Sequence, residues 1–466
     1  MSGLYSILRT ATTALNAESL GLQVSGNNLA NVNSPGYAEE TVATSDHGTG
    51  NPGDSTASVQ QQRDALLDQQ VVTETALTAS LTAQTNLNAQ VQAALGENIG
   101  STAASSSSAT ATGSGLGNDL SAFFNGFQAL AAAPTDSGAR QAALQGADTL
   151  ARDFNSTDRQ LGQIQANLGT QLTGDTGDIN TLLTDVANLN TQISRAEFGA
   201  PGTAVSLRDQ RQADLEQLAG KISVQTSPSG GAAGQIDVTV TGAGGSPVTL
   251  VSGGQVTNPV TFGVAGLTAG VSATLLAPAG GEVAGLLTAN GTVQSLRDQL
   301  THLAAQVVTS VNTTYNPTGT TGDLFQATAG SEAATMAVTP GLTAAGLTVS
   351  GTANPGDNTI AIAVAALGSQ AFATAGGDQI DGTFASNYAG VVEHLGNIVA
   401  TANHELDDQT KFQSLVTQQR ASVSGVSLDQ ELTSVMAYER AYQASSQVVS
   451  IVDSLLNTVI TGMLGN

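Results

Sequence analysis

Residues 3–31 read GLYSILRTATTALNAESLGLQVSGNNLAN, and this stretch decides the fold. Leu8, Leu15, Leu22 and Leu29 recur every seven residues. Leu4, Ala11, Glu18 and Ser25 fill a companion row at alternating steps of four and three. An α-helix turns once in about 3.6 residues, so this pattern puts one strong and one weak row on a single narrow face. The spacing predicts a helix from Gly3 to Asn31, about 40 Å long at ~1.5 Å per residue. Asn33, Pro35 and Gly36 are the residues that end it.

The far end of the chain carries the same pattern. Val435, Tyr442, Val449, Leu456 and Met463 recur every seven residues, with Tyr438, Ser445, Val452 and Val459 as the second row. A helix over 428–464 follows, about 55 Å long. Two narrow stripes suit a coiled-coil stalk in which the helices pair with each other and with copies of themselves. The alternative is two amphipathic helices on the face of one globular domain.

Between these ends the pattern changes twice. Residues 56–95 are rich in Gln, Ala, Thr and Leu with no Gly or Pro, which predicts one helix. Residues 100–117 are a Ser/Ala/Thr/Gly connector. Phe123, Phe124, Phe127 and Leu130 form a short helical face before Pro134, and Asp136 opens a further helix with an expected interruption at Gly169–Gly177. Ile179, Leu182, Val186, Leu189 and Ile193 step by three and four, and another helix covers 205–218. From Lys221 to Ala277 short Val/Thr/Ile runs alternate with Gly-rich turns, the signature of a small β insert. Helices return at Glu282, lapse over 316–358 apart from short strand candidates at 336–338 and 346–349, and resume at Phe384. The expected fold is mainly α, a long helical bundle and coiled coil from both termini with an inserted small β-rich domain. Residues 1–45 and 424–466 are expected as the coiled-coil core, 46–220 and 282–423 as the bundle, and 221–281 as an outer insert.

Composition narrows the function. The chain has 466 residues, 13 basic against 37 acidic, and a formal charge of −24. Phosphate binding needs clustered Lys and Arg, so nucleic acid is not an expected partner, and neither is anionic lipid. No apolar run approaches the ~20 residues of a membrane span, so no membrane insertion is expected, and no cleaved secretory signal is evident. Cysteine and tryptophan are absent, which excludes disulfides and thiolate chemistry.

Catalytic patterns are missing as well. His47, His302, His394 and His404 fit no HExxH spacing, and neither a GxSxG elbow nor a GxxxxGK[ST] loop occurs. Asp378 and Asp381 lack calcium-loop spacing and suit a turn, and Arg208, Asp209 and Arg211 suit a solvated helix face. No catalytic residue, cofactor or metal is expected, and a structural role follows.

Residues 25–37, SGNNLANVNSPGY, resemble the N-terminal signature of the bacterial flagellar rod, hook and hook-associated axial proteins. Residues 424–448, SGVSLDQELTSVMAYERAYQASSQV, resemble the C-terminal one. Phe123–Leu130 with Pro134 and Arg140-Gln141, then Asp209-Gln210-Arg211, Asp323-Leu324-Phe325 and Pro355–Asn358, resemble the first hook-associated proteins, the junction branch of that family. Gln430, Arg208 and Gln212 depart from its usual residues. The resemblance implies a self-assembling ring that joins hook to filament, exported through the flagellar type III apparatus without signal cleavage and sited outside the cell. Implied partners are copies of itself, the hook subunit, a second junction protein and an export chaperone at the C-terminal region. The assembly residues on this reading are the two main rows, Leu8, Leu15, Leu22, Leu29, Val435, Tyr442, Val449, Leu456 and Met463. Another axial protein, or an enzymatic or glycan-binding module in the insert, are the alternatives. Burying a leucine contributes about 1.5–3 kcal/mol, whereas ordering a residue costs about 1–2 kcal/mol. The end helices are therefore expected to be largely disordered alone and to order on assembly.

Overall fold

The computed structural model describes residues 2–34, 36–46, 55–96, 115–320, 322–352 and 356–464, and 66% of these described residues are helical. In chain order, α1 spans Ser2–Asn31, β1 Glu40–Asp46, β2 Ser55–Gln61, α2 Ala65–Leu95, α3 Leu116–Ala132, α4 Ser137–Ala196 and α5 Val205–Lys221. Short strands follow: β3 Gln225–Pro228, β4 Ile236–Thr241, β5 Pro247–Ser252, β6 Gln255–Val256, β7 Val260–Gly263, β8 Gly266–Ala269 and β9 Thr274–Leu275. Then come α6 Glu282–Tyr315, β10 Phe325–Gln326, α7 Glu332–Thr335, β11 Ala337–Val338, α8 Thr359–Ala366, α9 Phe384–Ser424 and α10 Leu428–Leu464. Pro35, His47, Pro355, most of the 100–117 connector and the side chain of Met463 lie outside the described residues.

Local chemistry sets several boundaries. The Asp64 carboxylate accepts the backbone N–H of Leu66 at 2.8 Å and Leu67 at 3.2 Å, so α2 begins there. Asp136 caps α4 by accepting the Ala139 N–H at 2.7 Å. At the start of α9, Thr383 and Ser386 cap each other's backbone N–H reciprocally.

Three expectations need correction. The helix expected from Thr56 is a strand up to Gln61, because β2 pairs antiparallel with β1, Glu40 opposite Gln61 and Val42 opposite Val59. Pairing of this kind depends on a partner outside the local window. The expected interruption at Gly169–Gly177 does not occur, and α4 runs unbroken for 60 residues. Each helix-interior glycine costs about 1 kcal/mol, while Leu168, Leu172, Ile179 and Leu183 on either side are buried and hold the inner face. Residues 346–349 form no strand.

The chain folds into two compact units: Met1–Ser80 with Thr173–Ala284 and Asp407–Asn466, and Leu81–Leu172 with Gly285–Leu406. The first holds α1, α10, the β1–β2 hairpin and the insert, whose strands form antiparallel sheets in the orders β3-β4-β5-β6 and β7-β8-β9. Two asparagines of α4 dock those sheets. The Asn180 amide exchanges hydrogen bonds with Val260 N–H and C=O at 2.8 and 2.7 Å, taking the place of a neighbouring strand. The Asn190 amide donates to the carbonyls of Ile236 and Gly253 at 2.8 and 2.6 Å.

The second unit holds seven of the ten phenylalanines, which places the large-residue core here. Phe123, Phe127, Phe154, Tyr315, Phe325 and Phe384 are each at most 1% exposed. Phe123 packs on Phe325 at 5.6 Å, and Phe124 stacks on Phe384 at 5.4 Å. Arg140 anchors the irregular stretch after β11 by donating to the Pro134 and Leu347 carbonyls, each at 2.9 Å.

Candidate assembly surface

α1 and α10 pack antiparallel. Asn28 meets Glu431, and Gly21 meets Tyr438, equal steps in opposite directions along the two helices. The Tyr438 ring fills the space over Gly21, where a Cβ would lie 2.6 Å from the ring. That close approach accounts for a glycine inside a helix, a position that otherwise favours alanine. The buried line of α1 runs through Ala11, Gly21, Val24, Ser25 and Asn28. It follows the small, weak row and its neighbours rather than the leucines, because small side chains let the two backbones come close.

A polar joint closes the pair at the end of α1. The Asn28 amide donates to the Glu431 carboxylate and to the Glu40 carbonyl, both at 2.8 Å. Its oxygen accepts the Tyr37 hydroxyl at 2.7 Å and the Glu40 N–H at 3.0 Å. Asn28 is fully buried, and all four of its hydrogen-bonding positions are used. One side chain thus ties α1, β1 and α10 together. A further backbone bond, Glu39 N–H to the Ser424 carbonyl at 2.9 Å, joins β1's approach to the end of α9.

The turn after α1 then docks on α5. Gly36 has φ +75°, and a Cβ there would lie 2.9 Å from the Ala213 nitrogen, so both conformation and space require glycine. Arg63 donates to the Gly36 carbonyl at 2.6 Å, to Asp209 at 2.5 Å and to Asp68 at 2.8 Å. Gln61 also donates to Asp209, at 2.7 Å. A cleft of about 390 Å³ opens beside the joint between Asn31, Tyr37 and Asp209.

The electrostatics follow from packing acids together out of water. Burial pushes the Asp209 carboxyl up despite Arg63, and burial with Asp209 pushes Glu40 up. Glu39 is raised by burial and by Glu431. Tyr37 is pushed far up by burial and then by Glu40, Asp209 and Glu431.

The expected solvated face at Arg208, Asp209 and Arg211 is therefore corrected. Asp209 and Arg211 are each 8% exposed. Arg211 donates to the Asn190 oxygen and the Gly234 carbonyl, both at 2.7 Å, and burial lowers its pKa to about 10. Arg208 grips Glu197 with two bonds at 2.7 and 2.8 Å. These charges hold α4, α5 and the insert together.

Of the residues expected on the assembly surface, Leu8, Leu15, Leu22, Val435, Val449 and Leu456 are half-buried, and Leu29 and Tyr442 are exposed. A second apolar surface lies on α10 away from α1. At about 100° per residue, Leu428, Leu432 and Met436 fall on one flank, and Val448, Ile451 and Leu455 on the opposite flank farther along. All six are 40–59% exposed. Sequence reasoning missed Gly21, Asn28, Asp209 and Glu431 as working residues. Asn28 and Glu431 lay inside the quoted end signatures, but only the fold brings them within 2.8 Å. Among the described residues no group of three or more His, Cys, Asp or Glu is placed to hold a metal ion, and no helix is long and apolar enough to cross a membrane.

Residues 8–37 match the family model described as flagella basal body rod protein, and residues 417–462 match that of the flagellar basal body rod FlgEFG protein C-terminal. The paired end helices are thus those of a flagellar axial protein. Residues 105–325 match the flagellar hook-associated protein FlgK helical domain. The chain is 25% identical over 525 residues to flagellar hook-associated protein 1 of Bacillus subtilis, with 99% of each chain covered. It is 26% identical over 232 residues to that of Escherichia coli, spanning 47% of this chain and 40% of that protein. The flagellar hook junction protein FlgK from Burkholderia pseudomallei shares the fold, with a TM-score of 0.60 at 17% identity over 76% of this chain and 100% of that one. Over nearly its whole length the chain is similar to flagellar hook-associated protein 1.

Proposed function

We infer that this chain is a structural subunit of the bacterial flagellum that joins hook to filament and assembles with its own copies through α1 and α10. The carrying observation is the apolar surface left open on α10 away from α1, together with the half-buried leucine row of α1. Fully burying one Leu, Ile, Met or Val contributes about 1.5–3 kcal/mol. Six such side chains on two opposite flanks make a heterologous contact, in which one flank of a subunit meets the other flank of the next. Closure of that contact gives a ring. On this reading residues 1–45 and 424–466 form the assembly core and 221–281 an outward module. The hook subunit, a second junction protein and an export chaperone are its partners, and the protein works outside the cell as scaffold rather than catalyst.

Deletion of the gene tests the reading. Cells are expected to bear bare hooks and to shed filament subunits into the medium. Normal filaments on the deletion strain would refute it.

A further inference from the structure

Two sets of glycines along α3 and α4 differ in their surroundings. Gly126 of α3 and Gly146 of α4 sit where the two helices approach, a Cβ at each lying 3.6 and 3.8 Å from the backbone of the other helix. Gly169, Gly174 and Gly177 have nothing within 4 Å of a Cβ, and none has a positive φ. Neither space nor backbone conformation requires glycine at these three places, and alanine would make a firmer helix. They cluster near the middle of a 60-residue helix. The helix also passes from one compact unit into the other between Leu172 and Thr173.

The surrounding threonines point the same way. Thr170 donates to the Ala166 carbonyl at 3.2 Å, Thr176 to Thr173 at 2.8 Å and Thr181 to Gly177 at 3.0 Å. Hydroxyls bonded back onto helix carbonyls compete with the N–H ladder and bend helices. The inner side of this stretch is held by contrast. Leu172 and Ile179 are fully buried, and Asp175 accepts from Lys221 at 2.7 Å. One side is pinned and the other is stripped of helix-stiffening side chains.

We propose that residues 169–177 are a built-in flexure of α4, a segment that stays helical but bends on its glycine side. Its use at a hook–filament junction rests on the function proposed above, whereas the flexure itself does not.

The chain has no cysteine, so Arg159→Cys with Asp185→Cys in the full-length protein gives two clean spin-label sites on α4. A straight helix separates them by about 39 Å at ~1.5 Å per residue. The distance distribution is expected to be broad, with a tail to shorter distances. Adding Gly169→Ala, Gly174→Ala and Gly177→Ala should collapse it to a narrow peak and slow amide exchange over 169–177 about tenfold or more. Gly174→Ala alone should give part of that slowing. A parent distribution as narrow as the triple variant's would overturn the proposal, as would unchanged exchange. Narrowing of the parent with rising protein concentration would also overturn it, since it would mark the smooth face as a docking surface.

Discussion

The α1–α10 pair and the aromatic unit solve the problem of burial in opposite ways. The aromatic unit hides Phe123, Phe127, Phe154 and Phe384 almost completely. The pair buries small residues such as Ala11, Gly21 and Ser25, closes with a polar joint, and leaves Leu432, Ile451 and Leu455 half exposed. A self-sufficient core spends its large apolar side chains inside. A surface meant for other subunits keeps them available, and close backbone approach holds the pair together meanwhile.

Core truncation should give the largest effect. Phe127→Ala is expected to cost about 3–5 kcal/mol in urea unfolding, and a smaller loss than that of any pair variant would erase the contrast. Asn28→Leu comes next. It takes a partner from the half-buried Tyr37 hydroxyl, the Glu40 backbone and Glu431, at about 1–3 kcal/mol in all because water replaces most of the lost bonds. The loss should appear as faster exchange over 25–40 with the aromatic unit unchanged.

Gly21→Ala drives a methyl into the Tyr438 ring, and overpacking costs about 1–3 kcal/mol. Tyr438→Ala in the same chain should recover part of the loss, and simple additivity of the two changes would rule out that contact. Ile451→Asp and Leu455→Asp should change folding stability by only about 0.5 kcal/mol yet abolish junction assembly and motility. Unimpaired motility would locate the subunit contact elsewhere. In the unassembled protein, amides near Leu15 and Val449 should exchange well before those near Leu150. Equal protection would mean that the pair needs no neighbours.

The smallest effect concerns pH. Glu39, Glu40 and Asp209 are all raised in the folded state, so folding favours their protonated forms. Their contribution is full below the unfolded carboxylate range and is lost as pH rises through the raised values. Exchange over 25–40, corrected for intrinsic rates, should therefore slow as pH falls from neutral toward the carboxylate range. Glu40→Gln should flatten that response.

Much of the architecture was legible because it is periodic. The seven-residue rows placed α1 and α10, and Asp136 and Glu282 marked real helix starts. The β1–β2 hairpin was not legible, because β2 is specified by its partner strand rather than by its own alternation. Nor were the ion pairs, since Arg63 and Asp209 stand 146 residues apart and show only as two charges on a helix-rich sequence.

The sequence by itself determined that two amphipathic helices flank a helical body with a β insert, since hydrophobic spacing along one helix is a local property. Only the tertiary structure decided which row of each helix turns inward. That choice depends on how close two backbones come, and a glycine under a tyrosine brings them closer than any leucine row allows.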